Sequence, residues 1–260
     1  TTVVWLRFGM GVLTLGIAMQ LRKQFSLPKK QDLAYFAFLG FLGIAFHQWL
    51  QSTGLVTAQA ATSSWLVSTS PVFMALLGWI FLREKLTGLQ IFGILLAGGG
   101  VAVVATRGDL ASLLAGNFGE PGNILLLLSA PNWALFSALS RRGLKTHAAT
   151  QMMFYVMVFG WLFSSVLFFV RSGLAEVPLL RGDGWLGVLF LGIVCSGLAY
   201  IFWYDALKVL PAAQTGAFLY IEPFVTVVFA ALILSEPLLP SALAGGIAIL
   251  LGVWLVNRRA

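Results

Sequence analysis

Few side chains in this 260-residue chain are of types that do chemistry, and the candidates sit in apolar surroundings. Glu222 precedes Pro223 within the apolar stretch 211–234, Arg7 lies about one turn inside 3–21, and His47 and Gln48 stand near the end of 33–50 beside Trp49. A charged side chain deep in a bilayer costs on the order of 2.5–3.5 kcal/mol, so each such group demands a function or a partner. Two readings of Glu222 stand: it binds a cationic group or takes up a proton, or it is structural, bracing a Pro-broken helix by accepting hydrogen bonds from a neighbour or pairing with Arg7. Arg7 is expected to snorkel to the outer surface or to pair with a carboxylate rather than to contact substrate directly. His47 is either hydrogen-bonded packing or a binding group. Asp205, at the aqueous end of its stretch, reads as structural.

These residues must be held by membrane-spanning helices. With 59% hydrophobic and 10% charged residues the chain is no soluble globule, since such a globule carries roughly 25% charged residues. Apolar stretches run over 3–21, 33–50, 56–82, 88–106, 121–140, 149–170, 184–204, 211–234 and 240–257. Each is near the ~20 residues a helix needs to cross a ~30 Å hydrocarbon core. Their length and lack of alternation exclude barrel strands.

The stretches repeat. Laying Ala61–Arg107 over Ala213–Arg259, an offset of 152, puts Pro71 on Pro223, Glu84 on Glu236, Gly93 on Gly245, Gly100 on Gly252 and Arg107 on Arg259. Prolines at matched depth remove a backbone donor and free carbonyls, which a membrane tolerates only inside protein or along a water-filled cavity. Pro71 and Pro223 are therefore expected to be hinges beside a site, and Gln59, Thr62, Ser63, Ser64, Ser68, Thr69, Ser70, Gln214 and Thr215 offer polar groups next to them. The span 121–140 lacks a counterpart, and the chain starts at Thr rather than Met. The expectation is a ten-helix protein of two inverted five-helix repeats whose first helix precedes Thr1: residues 1–107 hold the first repeat, 108–120 a connector and 121–260 the second. Loops on alternate sides carry twelve Lys and Arg against three, which assigns both termini of the complete protein to the cytoplasm. This topology accounts for the formal charge of +7 and leaves nucleic acid no role. Gly98–Gly99–Gly100 and Gly245–Gly246 read as faces for helix packing within the protein or for self-association.

Trp65–Leu86 (WLVSTSPVFMALLGWIFLREKL) with the following GLQIFGILLAGGGVAVV, and Tyr220–Val256 (YIEPFVTVVFAALILSEPLLPSALAGGIAILLGVWLV), resemble the paired signature of EamA-type drug/metabolite transporters. The chain is most similar within that superfamily to YddG-type exporters of aromatic amino acids. The resemblance implies a cavity lined by the first, third and fourth helices of each half. Trp65, Trp133, Tyr200, Trp203 and Tyr220 then fall on cavity helices, with Asn132 beside Trp133, and His47 and Gln48 on another. Aromatic walls suit flat substrates through offset, edge-to-face or cation–π contacts. Trp5, Trp161 and Trp254 read as lipid-facing or interfacial.

No GxxxxGK[ST] or GxGxxG string occurs, so no nucleotide motor or cofactor is expected. The single cysteine and two histidines supply neither a metal cluster nor a nucleophile–base pair, which argues against an enzyme. The expected activity is export of a small molecule, an aromatic amino acid or related flat metabolite, across a bacterial-type inner membrane by alternating access. Lipophilic cations are the alternative cargo, and a non-transport membrane subunit the weaker one. Anionic sugar nucleotides or triose phosphates are disfavoured, because Arg7 is the lone cation at membrane depth.

Overall fold

A chain in lipid must satisfy its own backbone, and the apolar stretches do so as helices. The computed structural model describes residues 1–82, 85–114, 118–209 and 221–257. Helices α1 (Thr2–Leu21), α2 (Lys30–Gly54), α3 (Ala60–Val67), α4 (Ser70–Leu82), α5 (Gly88–Ala105), α6 (Pro121–Gly143) and α7 (Ala149–Val170) are followed by α8, residues 182–209. Then come α9 (Glu222–Leu234) and α10 (Pro240–Asn257). Among the described residues eight stretches are long and apolar enough to cross a membrane, α3 and α4 counting as one, and α9 is a shorter apolar helix. Phe224, Val225, Val228, Phe229, Leu232 and Ile233 are all exposed on α9, as a helix bathed in lipid requires.

The chain forms two compact units, each drawn from separate stretches. The first comprises Thr1–Ser52 and Phe136–Pro211, the second Thr53–Leu135 and Ala212–Ala260.

In the first unit α1 and α7 run antiparallel. The Trp5 indole donates to Ser165 Oγ at 2.7 Å, and methyl groups at Gly9 and Gly16 would meet Trp161 and Phe154. Trp5 stacks on Phe168 at 4.2 Å and Trp161 at 5.5 Å, while the Trp161 indole donates to the Trp5 carbonyl. These two tryptophans therefore join helices instead of facing lipid, because each indole finds an acceptor in the neighbouring helix. Reciprocal contacts link the remaining helices. Gly40 of α2 lies against Val156 and Phe159 of α7, and Gly192 of α8 lies against Arg7 and Met10 of α1. At one end Arg22 and Asp205 form an ion pair at 2.6 Å, which gives Asp205 the structural role expected of it.

The second unit is centred on α5 and α10. A methyl group at Gly100 would lie 2.5 Å from the Gly245 carbonyl oxygen and 2.8 Å from the Ile249 nitrogen. At Gly252 it would lie 2.5 Å from the Gly93 oxygen and 2.6 Å from the Ala97 nitrogen. Each partner in one set is 152 residues from its counterpart in the other, so these antiparallel helices cross about a local two-fold axis. Small residues bring the backbones together where lipid supplies no hydrophobic drive. Not every glycine of the expected faces takes part: methyl groups at Gly98 and Gly99 would meet nothing within 4 Å. Gly246 instead makes room for the Trp65 ring.

Candidate substrate site

Both α2 and α8 contain a π-helix. In α2 it covers Phe41–Phe46, and in α8 Phe190–Leu198. Each begins at the string Phe-Leu-Gly-Ile, at Phe41 and at Phe190. A π segment fits an extra residue into the helix and turns every side chain beyond it, which is why such segments gather at functional sites. Beyond the first stand His47 and Gln48, both buried. Beyond the second stand Tyr200 and Trp203, both half-buried, with the Tyr200 ring stacked 6.4 Å from that of Tyr204. Four expected site residues thus stand within five residues of the end of a distortion.

Arg7 joins this set within the first unit. Its Nε donates to Ser196 Oγ at 2.7 Å, its Nη1 reaches Gln48 Oε1 at 3.5 Å, and its guanidinium carbon lies 5.1 Å from the Phe8 ring centroid. Methyl groups at Gly192, Gly11 and Gly197 would contact, in turn, Arg7 and Met10, Ser196, and Thr14, so α1 and α8 run parallel and Ser196 is level with Gly11. The Arg7 side chain therefore extends a turn deeper along α1, against the usual lean of helical side chains toward the N-terminus. The expected snorkelling to the outer surface is overturned, because Ser196, fully buried, draws the guanidinium inward.

The other expected residues belong to the second unit. At the Pro71 break α3 stops at Val67 and α4 restarts at Ser70, putting Pro71 in the first turn of a helix, where a missing N–H costs nothing. Pro71 offers no N–H to the Val67 carbonyl, and Ser70 Oγ donates to it instead at 2.7 Å. The hydroxyls of Ser63, Ser64, Ser68 and Thr69 donate to the carbonyls of Gln59, Ala61, Trp65 and Leu66. These protons, including that of Ser64, are spent on their own helix, so toward a ligand the oxygens are left as acceptors. Trp65 is fully buried, with Phe224 edge-on at 5.5 Å, which makes it a core residue rather than a wall. Asn132 is buried and Trp133 half-buried on α6, directly after Pro131, a helix-interior proline that sequence reasoning passed over. Pro223 occupies the first turn of α9, as Pro71 does that of α4. Glu222 is the first residue of α9 and is exposed, an acid in the first turn, where the helix dipole favours a negative charge. Tyr220, Gln214, Thr215 and Glu84 lie outside the described residues.

The family model of EamA-like transporters matches residues 1–106 and 120–258. The chain belongs to that family. This EamA-like transporter is 30% identical over 233 residues to a protein of Streptantibioticus cattleyicolor named a probable terminal-alkyne amino-acid exporter, covering 89% of this chain and 75% of the relative. An uncharacterized protein of Pseudomonas aeruginosa is 30% identical over 251 residues, 96% of this chain and 82% of its own. An uncharacterized transporter of Bacillus subtilis is 25% identical over 228 residues, 86% and 73% respectively. A crystal structure with TM-score 0.64 and 19% identity, covering 98% of this chain and 85% of the other, shares the fold. The EamA-like transporter is a multi-pass helical membrane protein, and these names point to transport rather than catalysis.

One signature residue has a role that sequence reasoning did not assign. Ser235, in the left-handed conformation at φ 54°, ends α9. The Glu236 carboxylate that follows accepts the N–H groups of Ala60 at 2.8 Å and Ala61 at 3.1 Å, the first two residues of α3. The acid of the EamA signature thus serves as a helix cap in the transporter's second unit.

Proposed function

We propose that this protein is a secondary exporter of aromatic amino acids and related flat metabolites, acting by alternating access in a bacterial-type inner membrane with both termini of the complete protein cytoplasmic. The observation that carries the reading is the group that follows the π-helix of α8: half-buried Tyr200 and Trp203, with the Tyr200–Tyr204 stack, on the helix whose Ser196 holds Arg7. Half-buried rings offer apolar faces for a flat side chain, and the neighbouring cation and amide suit the polar end of an amino acid. The resemblance to a protein named as an amino-acid exporter supports the same cargo class. The breaks at Pro71 and Pro223 are the hinges of the movement, since short helices starting at a proline turn about the residues before it.

Lipophilic cations are the second reading. It is favoured by Glu222, a first-turn acid whose carboxylate accepts no hydrogen bond among the described residues. Uptake into liposomes separates the two, with radiolabelled phenylalanine or tryptophan set against a lipophilic cation and an aliphatic amino acid, with and without a pH gradient, for wild type and Glu222→Gln. Saturable movement of the aromatic amino acids is expected, with loss of the pH response in the variant. Movement of the cation alone overturns the substrate assignment.

A further inference from the structure

We infer that Arg7 binds the carboxylate of the transported molecule, with Ser196 holding its guanidinium in place. The inference rests on the reading above that the cargo is an amino acid, and it adds a residue and a chemical role to that reading.

Burying a guanidinium at membrane depth is costly unless an anion meets it. Arg7 is half-buried in the first unit, and within that unit no described carboxylate lies within ion-pair distance of it. Its partners are neutral: the Ser196 hydroxyl, at a normal 2.7 Å, and the Gln48 amide oxygen, at a long 3.5 Å. Of the five N–H donors of a guanidinium, these oxygens take two, and Nη2 makes no hydrogen bond among the described residues. The Ser196 contact fixes the orientation of the group, and neither contact neutralises its charge. A cation held by neutral oxygens with an open edge is built to receive a planar anion, and a carboxylate fits that edge through two parallel hydrogen bonds.

The surroundings fit the same ligand. Phe8, fully buried, underlies the guanidinium at 5.1 Å and keeps water from that face. The inward reach toward Ser196 carries the charge away from the end of α1, where water would have screened it. Gln48 presents a weakly engaged amide whose bond to Nη1 is easily exchanged for one to an arriving carboxylate. Tyr200 lies four residues beyond Ser196 on α8, about one turn on, so a molecule whose carboxylate meets Arg7 brings its side chain toward the Tyr200–Tyr204 stack.

The test uses the full chain in liposomes, with radiolabelled phenylalanine as cargo and unlabelled phenylalaninamide, which lacks the carboxylate, and 3-phenylpropionate, which lacks the ammonium, as competitors. The wild type is expected to be inhibited by phenylpropionate more strongly than by the amide. Arg7→Gln is expected to raise the KM for phenylalanine roughly tenfold or more, the loss of one charge-assisted pair, and to abolish the preference for phenylpropionate over the amide. Arg7→Lys is expected to keep part of that preference. An Arg7→Gln protein that reconstitutes normally and transports phenylalanine with wild-type KM and competitor preference overturns the inference while leaving amino-acid export standing. A wild type that moves no amino acid overturns both. If Arg7→Gln does not accumulate, Ser196→Ala gives the same reading: a raised KM and weakened preference support the inference, and unchanged values overturn it.

Discussion

The carboxylate of Glu236 accepts the backbone N–H of Ala60 at 2.8 Å, so the residue that follows the end of α9 completes the start of a helix far earlier in the chain. Gln59, the residue at the local cap position of α3, makes no side-chain capping bond, and Glu236 supplies from outside what the helix lacks. Replacing it with alanine leaves two N–H groups open at a helix end.

Glu236→Ala is therefore expected to destabilise the protein by about 0.5–2 kcal/mol, the usual worth of an N-cap. Thermal unfolding in detergent, followed by a thiol-reactive dye on Cys195, the sole cysteine, reads this as a lowered midpoint. Glu236→Gln keeps a side-chain oxygen at the same place and should lose less. An unchanged midpoint for both variants would count against the cap.

Ser70→Ala is expected to cost about 1–3 kcal/mol despite the small change in volume. It withdraws the one hydroxyl that serves the Val67 carbonyl, which Pro71 cannot serve. Ser70→Thr retains the hydroxyl and should keep most of the stability. Equal melting of the alanine and threonine variants would show that the Val67 carbonyl is satisfied elsewhere.

Adjacent glycines on α5 should answer substitution in opposite ways. Gly100→Ala forces a methyl group onto the backbone of α10 and is expected to cost about 1–3 kcal/mol, as overpacking does. Gly98→Ala and Gly99→Ala place theirs in open space and should leave the melting point unchanged or slightly raised, alanine being the better helix former. The same methyl at Gly252, the two-fold counterpart of Gly100, should reproduce the larger loss. Melting curves for the four alanine variants decide it, and a uniform response would disprove the crossing geometry.

Trp65→Phe is a test of core against site. The indole Nε1 of Trp65 is buried without a hydrogen-bond partner among the described residues, so phenylalanine removes an unmet donor at the expense of some packing volume. Stability is expected to change by less than about 1.5 kcal/mol, with the KM for phenylalanine unaltered. A KM raised severalfold with intact stability would return Trp65 to the substrate wall.

The spans were legible because lipid imposes a length and a composition on any helix that crosses it, and α1, α5, α7 and α10 fall within a residue or two of the stretches seen in the sequence. The crossing of α5 and α10 was legible in part: Gly93 and Gly100 repeat as Gly245 and Gly252 whatever the surrounding leucines do. The π-helices were hidden because a segment that is apolar all round carries no phase, and an inserted residue changes no pattern. Only the repeated Phe-Leu-Gly-Ile string marked both places. The direction of Arg7 was equally hidden, since sequence gives the height of a residue on its helix and not the turn its side chain takes. Ser64 and its neighbours read as polar groups able to donate or accept beside the break, because nothing in a sequence shows that their protons are spent on carbonyls three or four residues back.

Both compact units are assembled from stretches made far apart in time. Between completion of α5 and arrival of Glu236 the ribosome adds about 130 residues, on the order of ten seconds at roughly 5–20 residues per second. Throughout that interval the glycine face of α5 has no α10 to meet, and the first N–H groups of α3 are uncapped. The second unit therefore closes only once Glu236 and α10 have been made, well after the helices they complete.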